Sequence, residues 1–291
     1  MDQTSKKLII LIPIIVALSL GFGILLITEN YSLEPTDERF VFVLAPLFFA
    51  ISFIYSSVGF AGGSSYIAIL VLAGVSLYTV PSIALLLNII AAGMAFMNYA
   101  RAGHFSLKFS LPFLSSIPFA FFAGLLVLPE ASLALIFVIA LFAASVALLT
   151  SGSRVKSQQE KIKKLNLSQM KMAIIGIPVG AVLGIVAGLV GIGGGIWLSP
   201  LLILSGLADP KRAAATASVF ILTNSISGFL GHSISKPIDL SLLVPLAFVV
   251  LAGGFIGSRF GAFKFDHDKI RIIVGALVAV AGLSLTLKLL V

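Results

Sequence analysis

Again and again this chain runs for about 20 residues without a charge, the length an α-helix needs to cross a hydrocarbon core of roughly 30 Å. Apolar runs cover 8–27, 41–58, 64–75, 80–100, 107–128, 131–150, 172–190, 194–206, 213–234, 240–258 and 270–290. They lack the alternation of outer-membrane strands, so each reads as helix. With 59% of residues hydrophobic, 10% charged and a mean hydropathy of +1.16, no soluble domain fits. The expected fold class is all-α, a polytopic membrane helical bundle. Two runs, 64–75 and 194–206, are too short to span unaided, and each follows a glycine cluster.

The basic residues orient the bundle. With the loops placed on alternate sides, starting from Lys6 and Lys7, one face receives 16 of the 19 Lys and Arg, among them Arg101, Lys108, Lys211, Arg212, Arg259 and Lys264. The other face carries Arg39, Lys236 and Lys288, beside the acidic residues Glu29, Glu34, Asp37, Glu38 and Glu130. The positive-inside rule then puts the N-terminus in the cytoplasm and the C-terminus outside, in a multi-pass protein of the cell inner (cytoplasmic) membrane. The net charge of +8 thus records loop orientation, and nucleic acid is not an expected partner. The basic, apolar start at 6–27 resembles a signal peptide. It is about 20 residues long with no small-residue cleavage pattern, so it reads as a retained helix.

The chain also repeats itself. "VGFAGGSSYIAILVLAG" from Val58 matches "VGIGGGIWLSPLLILSG" from Val190, aligning Gly59 with Gly191, Gly62 with Gly194 and Gly63 with Gly195, while Ala61 stands opposite Gly193. Further on, "PSIALLLNIIAAG" faces "ASVFILTNSISG", which pairs Asn88 with Asn224, and Pro112 and Gly124 align with Pro245 and Gly257. The organisation is an extra N-terminal helix with an acidic outer loop (1–40), a first five-segment repeat (41–150), a basic cytoplasmic loop (151–171) and a second repeat (172–291). Five segments per repeat force the halves to enter the membrane from opposite sides, a 5+5 inverted topology. Inverted repeats with glycine-broken short segments at matching positions are the sequence mark of a secondary transporter and its binding site.

Enzyme chemistry finds no constellation here. None of the 11 acidic residues lies inside an apolar run and there is no cysteine, so no catalytic residue, metal site or cofactor is expected. Of His104, His232 and His267 only His232 lies within a run, near its end, where it reads as an interfacial residue. Neutral polar residues remain: Ser56, Ser57, Ser64, Ser65, Asn88, Asn98, Ser199, Thr216, Ser218, Thr223 and Asn224.

A glycine cluster that breaks one helix and starts another exposes backbone N–H groups, and a helix N-terminus attracts anions without Lys or Arg. Gly62, Gly63, Gly193, Gly194 and Gly195 are the expected backbone donors for a small anionic substrate, completed by Ser64, Ser65, Asn88 and Asn224. Arg101, at the cytoplasmic end of the helix carrying Asn88, is either a gate that collects anions or a positive-inside anchor. Sulfur oxyanions and carboxylates fit such a site equally well. The breaks are either re-entrant hairpins or tight turns between tilted helices. Beyond substrate and lipid bilayer, a homo-oligomer of the chain is the remaining expected partner.

The paired "GFAGGSSYIAIL" and "GIGGGIWLSPLL" motifs, the basic central loop and the five-plus-five layout resemble the sulfite exporter TauE/SafE family, also called the toluenesulfonate uptake permease family. The resemblance runs from about residue 41 to 290. It implies transport of sulfur-containing anions such as sulfite, sulfoacetate or other organosulfonates. An inside-negative potential drives anions outward by about 2.3 kcal/mol per charge per 100 mV, so export needs no coupling ion, whereas uptake needs one.

Overall fold

The computed structural model describes residues 38–162, 169–235 and 243–265, with residue 279 alone beyond them. The expected spans at 8–27 and, apart from residue 279, 270–290 lie outside the described residues. Among the described residues the chain is helical, without strands: α1 (Glu38–Ser56), α2 (Gly63–Leu72), α3 (Val80–Arg101), α4 (Leu107–Ser110), a 3-10 turn (Phe113–Ser115), α5 (Ser116–Gly124), α6 (Glu130–Ile162), α7 (Gln169–Val190), α8 (Gly195–Leu204), α9 (Pro210–Ser235) and α10 (Leu243–Phe263). Among the described residues, five stretches are long and apolar enough to cross a membrane: Val80–Arg101, Glu130–Leu149, Met172–Val190, Pro210–Ser235 and Leu243–Phe263. The outer helices turn large apolar side chains outward. On α6, Leu135, Ile139 and Val146 are 60%, 58% and 61% exposed at helical spacing, a face that suits lipid and would be costly in water.

α3 and α9 form the enclosed centre. They run antiparallel: Leu85 lies near Gly228, Gly93 near Leu222, and Ala95 and Tyr99 cluster with Ala214 and Ala215. Around them the contacts come in matched pairs. α1 packs on α10 as α7 packs on α5, and α10 lies against α3 as α5 lies against α9. The polar links match as well, for Asn98 Nδ2 on α3 donates to Phe255 O of α10 (3.1 Å), while Ser227 Oγ on α9 donates to Ile117 O of α5 (2.6 Å). Pro46 inside α1 and Pro178 inside α7 occupy corresponding positions.

Both outer pairs close through glycine. Gly176, Gly180, Gly184 and Gly188 line one face of α7, and side chains there would strike Pro112, Phe113, Ser116 and Ala120. Gly253, Gly257 and Gly261 do the same on α10, against Phe49 and Phe53 of α1 and Ser57 just after it. In lipid, where no hydrophobic effect joins helices, such close backbone approach supplies the van der Waals contact that does. The glycines sit on the second-half partner of each pair.

Three expectations about segments change. The run 107–128 is not one helix, because Pro112 lacks an N–H to continue α4 and a 3-10 turn follows it. Ser115 Oγ braces the turn by donating to Pro112 O at 2.9 Å. Helix α6 continues through residues 151–162, the first part of the stretch read as a loop. Helix α10 outlasts the apolar run ending at 258 and reaches Phe263, carrying Arg259 with it. At the start of α9, the Asp209 carboxylate accepts from the Lys211 and Arg212 amides (3.0 and 3.1 Å) and caps the helix.

Candidate functional site

The two glycine clusters are breaks between a long helix and a short one. The turn after α1 ends in Gly62, at φ 107°, and α2 begins at Gly63. The turn after α7 ends in Gly194, at φ 78°, and α8 begins at Gly195. Both N-caps are left-handed, a backbone state that costs a side-chain-bearing residue about 1–2 kcal/mol and glycine almost nothing. Each short helix has 10 residues, roughly 15 Å, and so reaches half-way through a bilayer. Ser65 and Tyr66 N–H bond back to Gly62 O, and Trp197 and Leu198 N–H to Gly194 O, so the N–H groups of the first two residues of α2 and α8 are those left without a helical partner.

Each break leans on the central helix of the opposite half. A side chain at Gly59 would strike Ala214 of α9, and one at Gly191 would strike Pro81 of α3. Asn88 of α3 joins the two. Its amide lies directly against Gly63, at the start of α2, while its Nδ2 donates to Gly191 O in the other break at 3.2 Å. Asn88 is fully buried, and its Oδ1 has no hydrogen-bond partner. Gly193 lies between the Asn88 amide and Ser225 Oγ of α9, and that hydroxyl is likewise buried and unpartnered. The start of α2, the glycine break that leads into α8, one amide and one hydroxyl therefore gather around Asn88.

The register across α9 differs from the sequence pairing. The position over Gly195 that Asn88 holds over Gly63 belongs to Ile221, not to Asn224. Asn224 sits almost one turn later, buried, with Nδ2 bonded to Phe220 O at 2.8 Å and Oδ1 unpartnered. An alignment that rewards matching asparagines slides by three residues here, because such a slip keeps nearly the same helix face. The site is thus asymmetric, with an amide over the first residue of α2 and an aliphatic side chain over the first residue of α8.

The serines of α2 point elsewhere. Ser65 Oγ is within 2.6 Å of Tyr55 Oη, and Ser64 Oγ donates to the same hydroxyl at 3.4 Å. They tie α2 to α1, and Ser64 meets the site through its backbone N–H. Ser225 was missed by sequence reasoning, for a membrane serine normally bonds back to its own helix. Its one visible signal was its place beside Asn224.

His232, expected at an interface, is fully buried, with Nε2 2.7 Å from Gly188 O. The glycine face of α7 lets α5 and α9 close around it. Arg101 is exposed at the end of α3, about 20 Å along the helix from Asn88. Other basic residues gather at that end: Lys211 Nζ donates to Ala262 O (3.2 Å), His104 Nε2 lies 3.2 Å from the same carbonyl, and the Arg212 guanidinium stands 4.2 Å above the Phe109 ring.

Long apolar helices around two half-length ones that meet at a buried polar point define a class, the multi-pass membrane transporters. The sequence pattern of the family described as sulfite exporter TauE/SafE matches residues 44–285. This chain belongs to that family. It is 30% identical over 243 residues to the probable membrane transporter protein y4hK of Sinorhizobium fredii, covering 83% of this chain and 96% of that one. It is also 38% identical over 116 residues to the probable membrane transporter protein YunE of Bacillus subtilis, covering 39% of this chain and 41% of the relative. No solved structure matches it significantly.

Proposed function

We propose that the protein is a secondary transporter, working as an exporter, for small sulfur-containing anions such as sulfite or the organosulfonate sulfoacetate. The observation that carries the reading is Asn88, whose amide touches the start of α2 and bonds to the break before α8. An anion held there takes N–H bonds from Gly63, Ser64, Gly195 and Ile196, and the positive ends of both helices stabilise its charge. Neutral donors hold an oxyanion without trapping it. The site is built from two inverted five-segment repeats, a reading supported by the antiparallel central helices and the matched contacts around them. Rocking of one repeat against the other would open it to each side in turn.

Counterflow in proteoliposomes tests the substrate. Saturable exchange with sulfite or sulfoacetate, and little with sulfate or acetate, is expected. Saturation by acetate with no response to any sulfonate would replace the reading with a carboxylate carrier. Orientation follows the charge asymmetry, with the N-terminus in the cytoplasm and the C-terminus outside the inner membrane. A reporter fused to the C-terminus should score as external, and cytoplasmic activity of that fusion would contradict this. The exposed position of Arg101 favours its role as an anchor, so Arg101→Ala should leave counterflow within about twofold of the parent.

A further inference from the structure

The two unpartnered groups at the breaks have a chemistry that a bare anion does not satisfy. Asn88 Nδ2 is committed to Gly191 O, and rotating the amide would set oxygen against oxygen, so Oδ1 is fixed as the unpartnered atom of an amide whose nitrogen and oxygen both lie against Gly63. An amide oxygen only accepts hydrogen bonds. Buried without a donor it costs about 1–3 kcal/mol, and the lone pairs of an oxyanion would repel it. A metal cation would satisfy the oxygen, but the positive ends of α2 and α8 oppose one. The ligand that satisfies both helix ends and Oδ1 is an anion that carries one X–H group of its own.

Resting on the sulfonate reading above, we propose that among sulfur oxyanions the site prefers one that bears a hydroxyl or ammonium donor close to its sulfur, and that Asn88 Oδ1 receives that donor. Asn88 is then the residue that sets specificity. Ser225 Oγ, which faces Gly193 together with Asn88 Nδ2, can donate to the oxyanion or accept from the same hydrogen.

The test compares two sulfonates of equal charge and length, hydroxyethanesulfonate and ethanesulfonate, as counterflow substrates of the reconstituted full chain. The parent protein should prefer the hydroxylated compound roughly tenfold or more in apparent affinity. Asn88→Leu loses the bond to Gly191 O, so exchange of both compounds should slow, but their apparent affinities should come to within about twofold of each other. Equal handling by the parent, or a preference that survives in Asn88→Leu, overturns the proposal while the sulfonate reading stands. If neither compound exchanges while sulfoacetate does, this inference falls alone; if no sulfonate exchanges, the sulfonate reading falls with it. Should Asn88→Leu fail to insert, the comparison in the parent protein decides alone.

Discussion

Gly63→Ala is expected to lower counterflow by roughly 100-fold per inserted molecule. Gly63 is the first residue of α2, and the Asn88 amide is packed on its Cα so closely that a methyl group would occupy the amide's place. Asn88 can yield only by giving up its bond to Gly191 O, which separates the two breaks. Adding Asn88→Ala to Gly63→Ala removes the collision but not the loss of the bridge. The double variant should therefore recover thermal stability while transport stays low, a split that counterflow and melting measurements on the same preparations reveal. Recovery of both together would mean that Asn88 only fills space.

The second large effect lies away from the site. Gly257→Val should destabilise the protein by about 3 kcal/mol or more, seen as a lower melting temperature in detergent and reduced monodisperse yield. Gly257 faces the Phe53 carbonyl of α1 at backbone contact, with Gly253 and Gly261 a turn to either side. A branched side chain there must push α1 away, and α1 carries Tyr55, to which Ser64 and Ser65 of α2 are bonded. Gly74→Ala makes an informative comparison, since nothing lies within 4 Å of the position and the change acts only through the φ of +89°. Its cost should be about 1 kcal/mol.

Much of this architecture is written in the apolar runs. The run 80–100 became α3 and 213–234 became α9, because continuous apolarity of that length leaves a chain in lipid no alternative to helix. The breaks were legible for a local reason: consecutive glycines at Gly62 and Gly63, and at Gly193 to Gly195, destroy helix propensity and permit left-handed turns. What depends on the register between helices was not legible. Ile221 rather than Asn224 over Gly195, Ser225 beside Gly193 and the capture of Ser64 and Ser65 by Tyr55 all follow from how far helices slide and rotate, and a linear pattern does not record that. The division of 107–128 was hidden too, since prolines occur in straight membrane spans as well, as Pro178 within α7 illustrates.

The chain contains no cysteine, so Ser225→Cys would place one thiol at the meeting point of the breaks. Its reaction with an anionic thiosulfonate reagent, timed with and without sulfoacetate, asks most directly whether an anion binds between α2 and α8. At about ten times the dissociation constant, sulfoacetate should slow the labelling roughly tenfold, with acetate at the same concentration having no effect. Labelling at an unchanged rate under saturating sulfonate would place the substrate elsewhere and contradict a site made by the two helix N-termini.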